Sequence, residues 1–172
     1  SDVPDWKEML NWSAPVPDGH PLRKRFPHRY GDPTLPDEDL PGTTEVLMDF
    51  HEATLDIQRR VLRILAVGLG VDEGFFDVML RDGAALTRAL HYPSMDAAPG
   101  DEHVWAAEHA DINLITALPR ATAPGLQVKV DDGWIDAAPP DGHVIVNTGI
   151  MLDHLTNGAI PPGIHQVVAD GP

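Results

Sequence analysis

Three residues, His109, Asp111 and His165, have the types and the order that metal chemistry needs. In an extended strand side chains alternate between faces, so His109 and Asp111, two residues apart, point the same way and one strand offers two ligands. Imidazole with carboxylate suits divalent iron, and His165 completes a two-histidine, one-carboxylate triad that leaves coordination positions open. Open positions are what oxygen chemistry requires. The pair alone decides little, because nine histidines and 27 acidic residues in 172 positions give roughly one His-x-Asp or His-x-Glu by chance.

The surroundings of the three residues carry more information. His109-Ala-Asp111-Ile-Asn-Leu-Ile-Thr-Ala-Leu118 continues into an apolar strand, Gly125-Leu-Gln-Val128 begins another after a proline-containing turn, and His165-Gln-Val-Val168 reads as a returning strand. Short strands are expected over 111–118, 126–130, 134–136, 144–147 and 165–168, with Asp131-Asp-Gly133 as a hairpin turn. An antiparallel meander of short strands preceded by helices argues for a double-sheet jelly roll with the metal in its mouth and helices outside.

The order of these pieces resembles the isopenicillin N synthase-like family of non-haem iron(II)/2-oxoglutarate-dependent oxygenases. His109-Ala-Asp111 is similar to the family's first two ligands, Pro124-Gly-Leu-Gln-Val128 to its strand after the turn, and Asp132-Gly-Trp134 to the hairpin before a proline-rich bend. Val144-Ile-Val-Asn-Thr-Gly149 with Met151-Leu152 resembles its strand and short helix, and Thr156-Asn-Gly158 with His165 its last ligand segment. The resemblance implies a mainly β fold with flanking helices, the double-stranded β-helix (jelly roll, cupin-like), with a long helix packed outside. It implies Fe(II) on His109, Asp111 and His165 and 2-oxoglutarate as co-substrate. The implied reaction uses O2 to oxidise a C–H bond of a small molecule by hydroxylation, desaturation or cyclisation, with 2-oxoglutarate leaving as succinate and CO2.

The resemblance also assigns lesser roles. Tyr92-Pro93 resembles a family signature whose tyrosine hydrogen-bonds a carboxylate, which makes Tyr92 the candidate co-substrate residue; a buried, backbone-satisfied tyrosine is the plain alternative. The family's Arg-x-Ser after the last histidine is not found before Pro172, and Arg120 is the one substitute considered, against an exposed turn arginine. The family's domain is expected to extend beyond both ends of this sequence. Trp6, Phe26 and Tyr30, with Trp12, fall in the segment that borders the family's substrate mouth, where they serve either substrate binding or core packing. Asn113, Thr148 and Gln166 are candidates to orient the ligand histidines. His51 reads as an exposed or packed residue, and the remaining histidines, 20, 28, 91, 103, 143 and 154, lack a ligand partner at useful spacing and read as satisfied structural or surface residues.

The rest of the chain frames this core. Residues 1–42 hold eight of the 17 prolines and form an arm without long helices, which the resemblance puts near the site mouth. The basic cluster Arg23-Lys-Arg25, His28 and Arg29 lies there, able to meet an anion, an acidic patch of the same chain, or solvent. Pro41-Gly42 ends the arm, Thr43-Thr44-Glu45 offers a cap, and apolar positions from Val46 to Leu65 predict an amphipathic helix to Leu69. A second short helix is expected from Glu73 to Leu80, and a strand from Ala85 to Tyr92. The expected division is 1–42 arm, 43–82 helical segment and 83–172 jelly-roll core, together one domain.

Composition narrows the function classes. A net charge of −15 repels nucleic acid and anionic membrane surfaces, so a small-molecule substrate is expected and neither of those partners. The absence of cysteine excludes thiolate metal sites and disulfides. No apolar run of membrane-spanning length is present and the first residues lack a basic start with an apolar core, so a cytoplasmic location is expected. Two other readings stand beside the oxygenase: a non-catalytic jelly-roll metal-binding or interaction module, and a family oxidase that does not use 2-oxoglutarate.

Overall fold

Proline sets the character of the first forty residues. Pro21 and Pro27 each open a one-turn helix, α1 (Pro21–Arg25) and α2 (Pro27–Tyr30), because the ring's fixed φ suits the first helical position and its missing N–H costs nothing there. The basic cluster sits on these helices, and Arg23 holds Asp32 through both guanidinium nitrogens at 3.0 and 2.5 Å. An acidic group of the same chain is therefore its partner.

The computed structural model describes residues 3–83, 85–100, 103–119, 121–131 and 133–169. Two compact units share them, one of Met9–Ala89 and one of Ser1–Glu8 with Leu90–Pro172. Strand β1 (Glu8–Trp12) pairs with β2 (Thr87–His91), and the division between units falls within both. The sequence reading had no strand at β1.

Within Met9–Ala89 the dominant element is α3 (Thr43–Gly68), 26 residues long, close to the expected 43–69. Its start is not capped by the threonines. Gly42 takes the cap position with φ 87°, and the Asp37 carboxylate reaches across the turn to accept from the Gly42 and Thr44 amides at 3.1 Å each. Gly70, at φ 74°, ends the helix in the left-handed conformation that lets the Val71 N–H return to Ala66 O at 3.1 Å. The short helix α4 (Phe75–Leu80) follows, two residues later than expected, and Arg63 on α3 binds Asp77 on α4 at 2.7 Å. Leu62, Ala66 and Phe76 are buried in this unit. Trp12 is buried too, its indole N–H donating to Leu47 O at 3.0 Å, so it is a core anchor.

The second unit is built from short antiparallel strands: β3 (Ala106–Ala110), β4 (Ile115–Leu118), β5 (Leu126–Val130), β6 (Gly133–Asp136), β7 (Ile145–Thr148) and β8 (Ile164–Val167), with helix α5 (Ile150–Leu155) between the last two. One sheet runs β3-β8-β5-β6 and another pairs β4 with β7. The pairing is nested, outermost strand with last and next with next to last. That is how a chain folded back along its length wraps two sheets into a jelly roll. Each expected strand is present within one or two residues, with one exception. Asp111–Leu118 is not a single strand: β3 ends at Ala110, residues 112–114 bend, and β4 begins at Ile115.

Candidate metal centre

His109 lies on β3 and His165 directly opposite on β8, so both side chains leave the same face of the sheet. Their ring centroids are 4.2 Å apart. Asp111 does not share the strand with His109 as the alternation argument supposed; it is the first residue after β3, where the chain leaves one sheet for the other. What holds it is the start of α5. Asp111 O accepts from Ile150 N at 2.8 Å, Asn113 O from Met151 N at 3.1 Å and Leu114 O from Gly149 N at 2.9 Å, so the bend is laced to the turn after β7. A Cβ at Gly149 would collide with the Asn113 carbonyl, so this close approach requires glycine. The three residues thus meet: His109, Asp111 and His165 each bring a donor atom within 4.8 Å of the others.

The bend in β3 has its own cause. Ala106 faces Val167 while His109 faces His165, so β3 carries one residue more than β8 between those pairs, a bulge of the kind that re-aims side chains beside functional sites. The bulge removes Ala107 from the ladder, and its polar groups find other partners. The Asp5 carboxylate accepts the Ala107 N–H at 3.0 Å, and Ala107 O faces His109 Nδ1 at 2.7 Å. Partial burial pushes the Asp5 pKa upward, but hydrogen bonds from Lys7 and the Ala107 amide outweigh it and hold the carboxyl below its usual range.

These contacts decide which atoms are left for a cation. A carbonyl only accepts, so His109 Nδ1 carries the proton toward Ala107 O; His165 Nδ1 does the same toward Gly163 O at 3.1 Å. Each imidazole keeps its lone pair at Nε2. On Asp111 one oxygen, Oδ2, accepts from Thr116 Oγ1 at 2.6 Å and Asn147 Nδ2 at 3.2 Å, which leaves Oδ1. Two neutral imidazole nitrogens and one carboxylate oxygen, each oriented through its other atom, are a donor set that fits a divalent transition metal.

Comparison with known proteins then decides the family. The sequence pattern of the 2OG-Fe(II) oxygenase superfamily matches residues 84–171. This chain belongs to the 2OG-Fe(II) oxygenase superfamily. Among proteins of the superfamily, isopenicillin N synthase of Flavobacterium sp. (strain SC 12,154) is 30% identical over 141 residues, 77% of this chain and 43% of its own. A 2-oxoglutarate-Fe(II) type oxidoreductase of Emericella nidulans is 31% identical over 163 residues, 91% of this chain and 40% of its own. A full-length Neurospora crassa protein, solved in complex with alpha-KG and thymine, superposes with a TM-score of 0.81 at 32% identity, over 99% of this chain and 50% of that one. This chain therefore spans about half the length of the relatives it matches, and its fold is the jelly roll of 2OG-Fe(II) oxygenases.

The other candidate residues are placed as follows. Tyr92 is half-buried with its ring 5.5 Å from that of Trp105, whose indole donates to Pro93 O at 2.8 Å. Trp6 donates its indole N–H to Ser94 O at 3.2 Å; like Tyr92 it belongs to the unit that holds His109, Asp111 and His165. Phe26 and Tyr30 belong to the Met9–Ala89 unit, Phe26 under the Arg25 guanidinium at 5.1 Å and Tyr30 donating to Asp82 O at 3.1 Å. Arg120 lies outside the described residues.

Of the three residues expected to orient the ligands, two are engaged elsewhere: Thr148 donates to Pro161 O and Gln166 to Gln127. Asn113 does reach the site, through Thr116, which it meets at 2.9 Å. The residues that touch Asp111 directly, Thr116 and Asn147, were not singled out in the sequence. A signal existed: asparagine is depleted in strands, so one inside Val144-Ile-Val-Asn147 marks a polar group that must find partners.

Several of the other histidines make contacts within the chain. His51 is 1% exposed with Nδ1 2.6 Å from Thr87 Oγ1, and burial pushes its pKa below the ordinary 6.5. His20 accepts from the Leu22 amide, and His91 pairs with Glu8 at 2.8 Å.

Proposed function

We propose that this chain is the site-bearing part of an iron(II)/2-oxoglutarate-dependent oxygenase that oxidises a C–H bond of a small molecule. His109 Nε2, Asp111 Oδ1 and His165 Nε2 are the metal ligands in this reading. The observation that carries it is the convergence of the three donors within 4.8 Å, each with its other polar atom already committed. Ferrous iron bound there would supply the redox chemistry by which O2 oxidises 2-oxoglutarate to succinate and CO2 and the substrate at a C–H bond.

The protein's own part is orientation. The Ala107 and Gly163 carbonyls draw the Nδ1 protons of the two imidazoles to themselves, so neither histidine has to change tautomer or turn its ring to offer Nε2 to a cation. Thr116 and Asn147 engage Asp111 Oδ2 and leave Oδ1, so Asp111 would offer a metal one oxygen, completing the donor set that suits iron chemistry with O2 and a co-substrate. Tyr92 is retained as the candidate co-substrate residue and Trp6, Phe26 and Tyr30 as substrate-side candidates. The division into arm, helical segment (43–82) and catalytic core (83–172) belongs to the same proposal. A small-molecule substrate agrees with the net charge of −15 and with the thymine in the Neurospora crassa complex. Among the described residues no helix is long and apolar enough to cross a membrane, and a cytoplasmic location is proposed.

The test of the ligand assignment is separate alanine substitution of His109, Asp111 and His165, followed by 2-oxoglutarate turnover assayed as succinate release with added Fe(II). Each variant is expected to lose at least about 100-fold. Retained turnover in any one of them would remove that residue from the ligand set.

A further inference from the structure

The geometry points to Asn147 as a positioning residue for the metal centre, one amide that ties the Asp111 carboxylate to the carbonyl that sets the tautomer of His165. This inference rests on the ligand assignment proposed above. Asn147 Nδ2 lies 3.2 Å from Asp111 Oδ2, 3.3 Å from Gly163 O and 3.3 Å from His165 Nδ1. Its two hydrogens can serve two of these three atoms, and chemistry selects them. His165 Nδ1 must itself carry a proton for Nε2 to bind a cation, and it gives that proton to Gly163 O at 3.1 Å. Two donors do not pair, so the amide hydrogens go to Asp111 Oδ2 and to Gly163 O. Gly163 O then uses both of its lone pairs, one for His165 and one for Asn147.

The orientation of the amide follows from the same count. Turned the other way, its oxygen would face the Asp111 carboxylate and the Gly163 carbonyl, both acceptors. Gly163 is part of the device. A Cβ there would collide with Asn147 Oδ1, and the Gly163 N–H donates to Thr148 O at 2.9 Å, so the backbone is drawn against the strand that carries Asn147. The amide thus links β7, the exit of β3 and the entry to β8, the three places from which Asp111 and His165 are held.

The experiment is anaerobic titration of the full chain with Co(II) alone, reading the dissociation constant and the visible d–d band, for wild type and for His109→Ala, Asn147→Asp, Asn147→Ala, Gly163→Ala and Thr148→Val. Asn147→Asp keeps the shape and adds an acceptor among acceptors, so the band changes and the loss of affinity exceeds that of Asn147→Ala, for which about 10–100-fold is expected. Gly163→Ala displaces the amide without altering it and gives a loss of the same order, a second route should either Asn147 variant fold poorly. Thr148→Val breaks a neighbouring bond to Pro161 that touches no ligand and leaves affinity within about twofold of wild type, as expected for an interaction outside the ligands' hydrogen-bonded partners. Asn147→Ala and Asn147→Asp binding Co(II) as wild type does, with an unchanged band, would overturn the role of Asn147 while leaving the ligand assignment intact. So would an equal loss in Thr148→Val, which would mark general loosening of the loop. If His109→Ala binds Co(II) as well as wild type, the ligand assignment itself fails.

Discussion

In the proposed reading, the two histidines and the aspartate are set up as ligands by atoms that would not themselves touch a metal. Thr116 shows how much rests on one hydroxyl: its Oγ1 lies 2.6 Å from Asp111 Oδ2, the shortest bond to that carboxylate. Thr116→Val keeps the shape and removes the donor, so Asp111 becomes free to rotate; Fe(II) affinity measured by anaerobic titration is expected to fall about tenfold, and an unchanged affinity would show that Asn147 alone suffices. His51 behaves differently, as a buried neutral imidazole. Its folded pKa lies below the ordinary 6.5, so as pH falls below that value the unfolded chain takes up a proton that the folded chain refuses. Stability is therefore intact above about pH 6.5 and declines as pH drops toward the folded pKa. Urea midpoints for His51→Gln are expected to show a shallower decline between about pH 7.5 and about pH 5.5 than wild type, whatever the offset at neutral pH; parallel curves would mean that folding leaves the His51 pKa unchanged. The ligand types were legible at this level because few side chains bind divalent iron. Thr116 and Asn147 were not, since their partner Asp111 is 5 and 36 residues away and only folding brings the second contact about.

Helix α3 and the strands were readable from periodicity, and the exceptions each have a local cause. The break between β3 and β4 is hidden by Ile112 and Leu114, which extend the apolar run; yet Ile112 is 81% exposed, carried outward by the bend that places Asp111. β1 was concealed in a stretch whose prolines dominate its reading, and the cap of α3 came from Asp37, five residues before Gly42, beyond any local capping pattern. Where periodicity did apply, it identifies the core of the helical unit. Leu62 on α3 and Phe76 on α4 are 2% and 0% exposed, and truncating either leaves a cavity that rigid helices cannot close. Leu62→Ala is expected to cost about 2–5 kcal/mol and Phe76→Ala about 3–5 kcal/mol in chemical denaturation. Losses below about 1 kcal/mol would mean that the two helices repack.

At the level of the chain there are two compact units: one holds α3 and α4, the other holds the two sheets of β3 to β8 and the three candidate ligands. The jelly roll was legible because short alternating strands with turn residues between them have few other solutions, and the nested pairing of β3 with β8 and β4 with β7 is what returns His165, 54 positions after Asp111, to its partner ligands. The substrate was not legible, since no motif in the sequence names one. The most direct measurement is anaerobic titration of Fe(II) into this chain with 2-oxoglutarate present, following the weak visible charge-transfer absorption of the chelate in wild type and in His109→Ala. A band that grows to one equivalent in wild type and is missing in His109→Ala is the expected result. Iron that binds without producing the band would contradict use of 2-oxoglutarate, and a band that survives in His109→Ala would contradict the site.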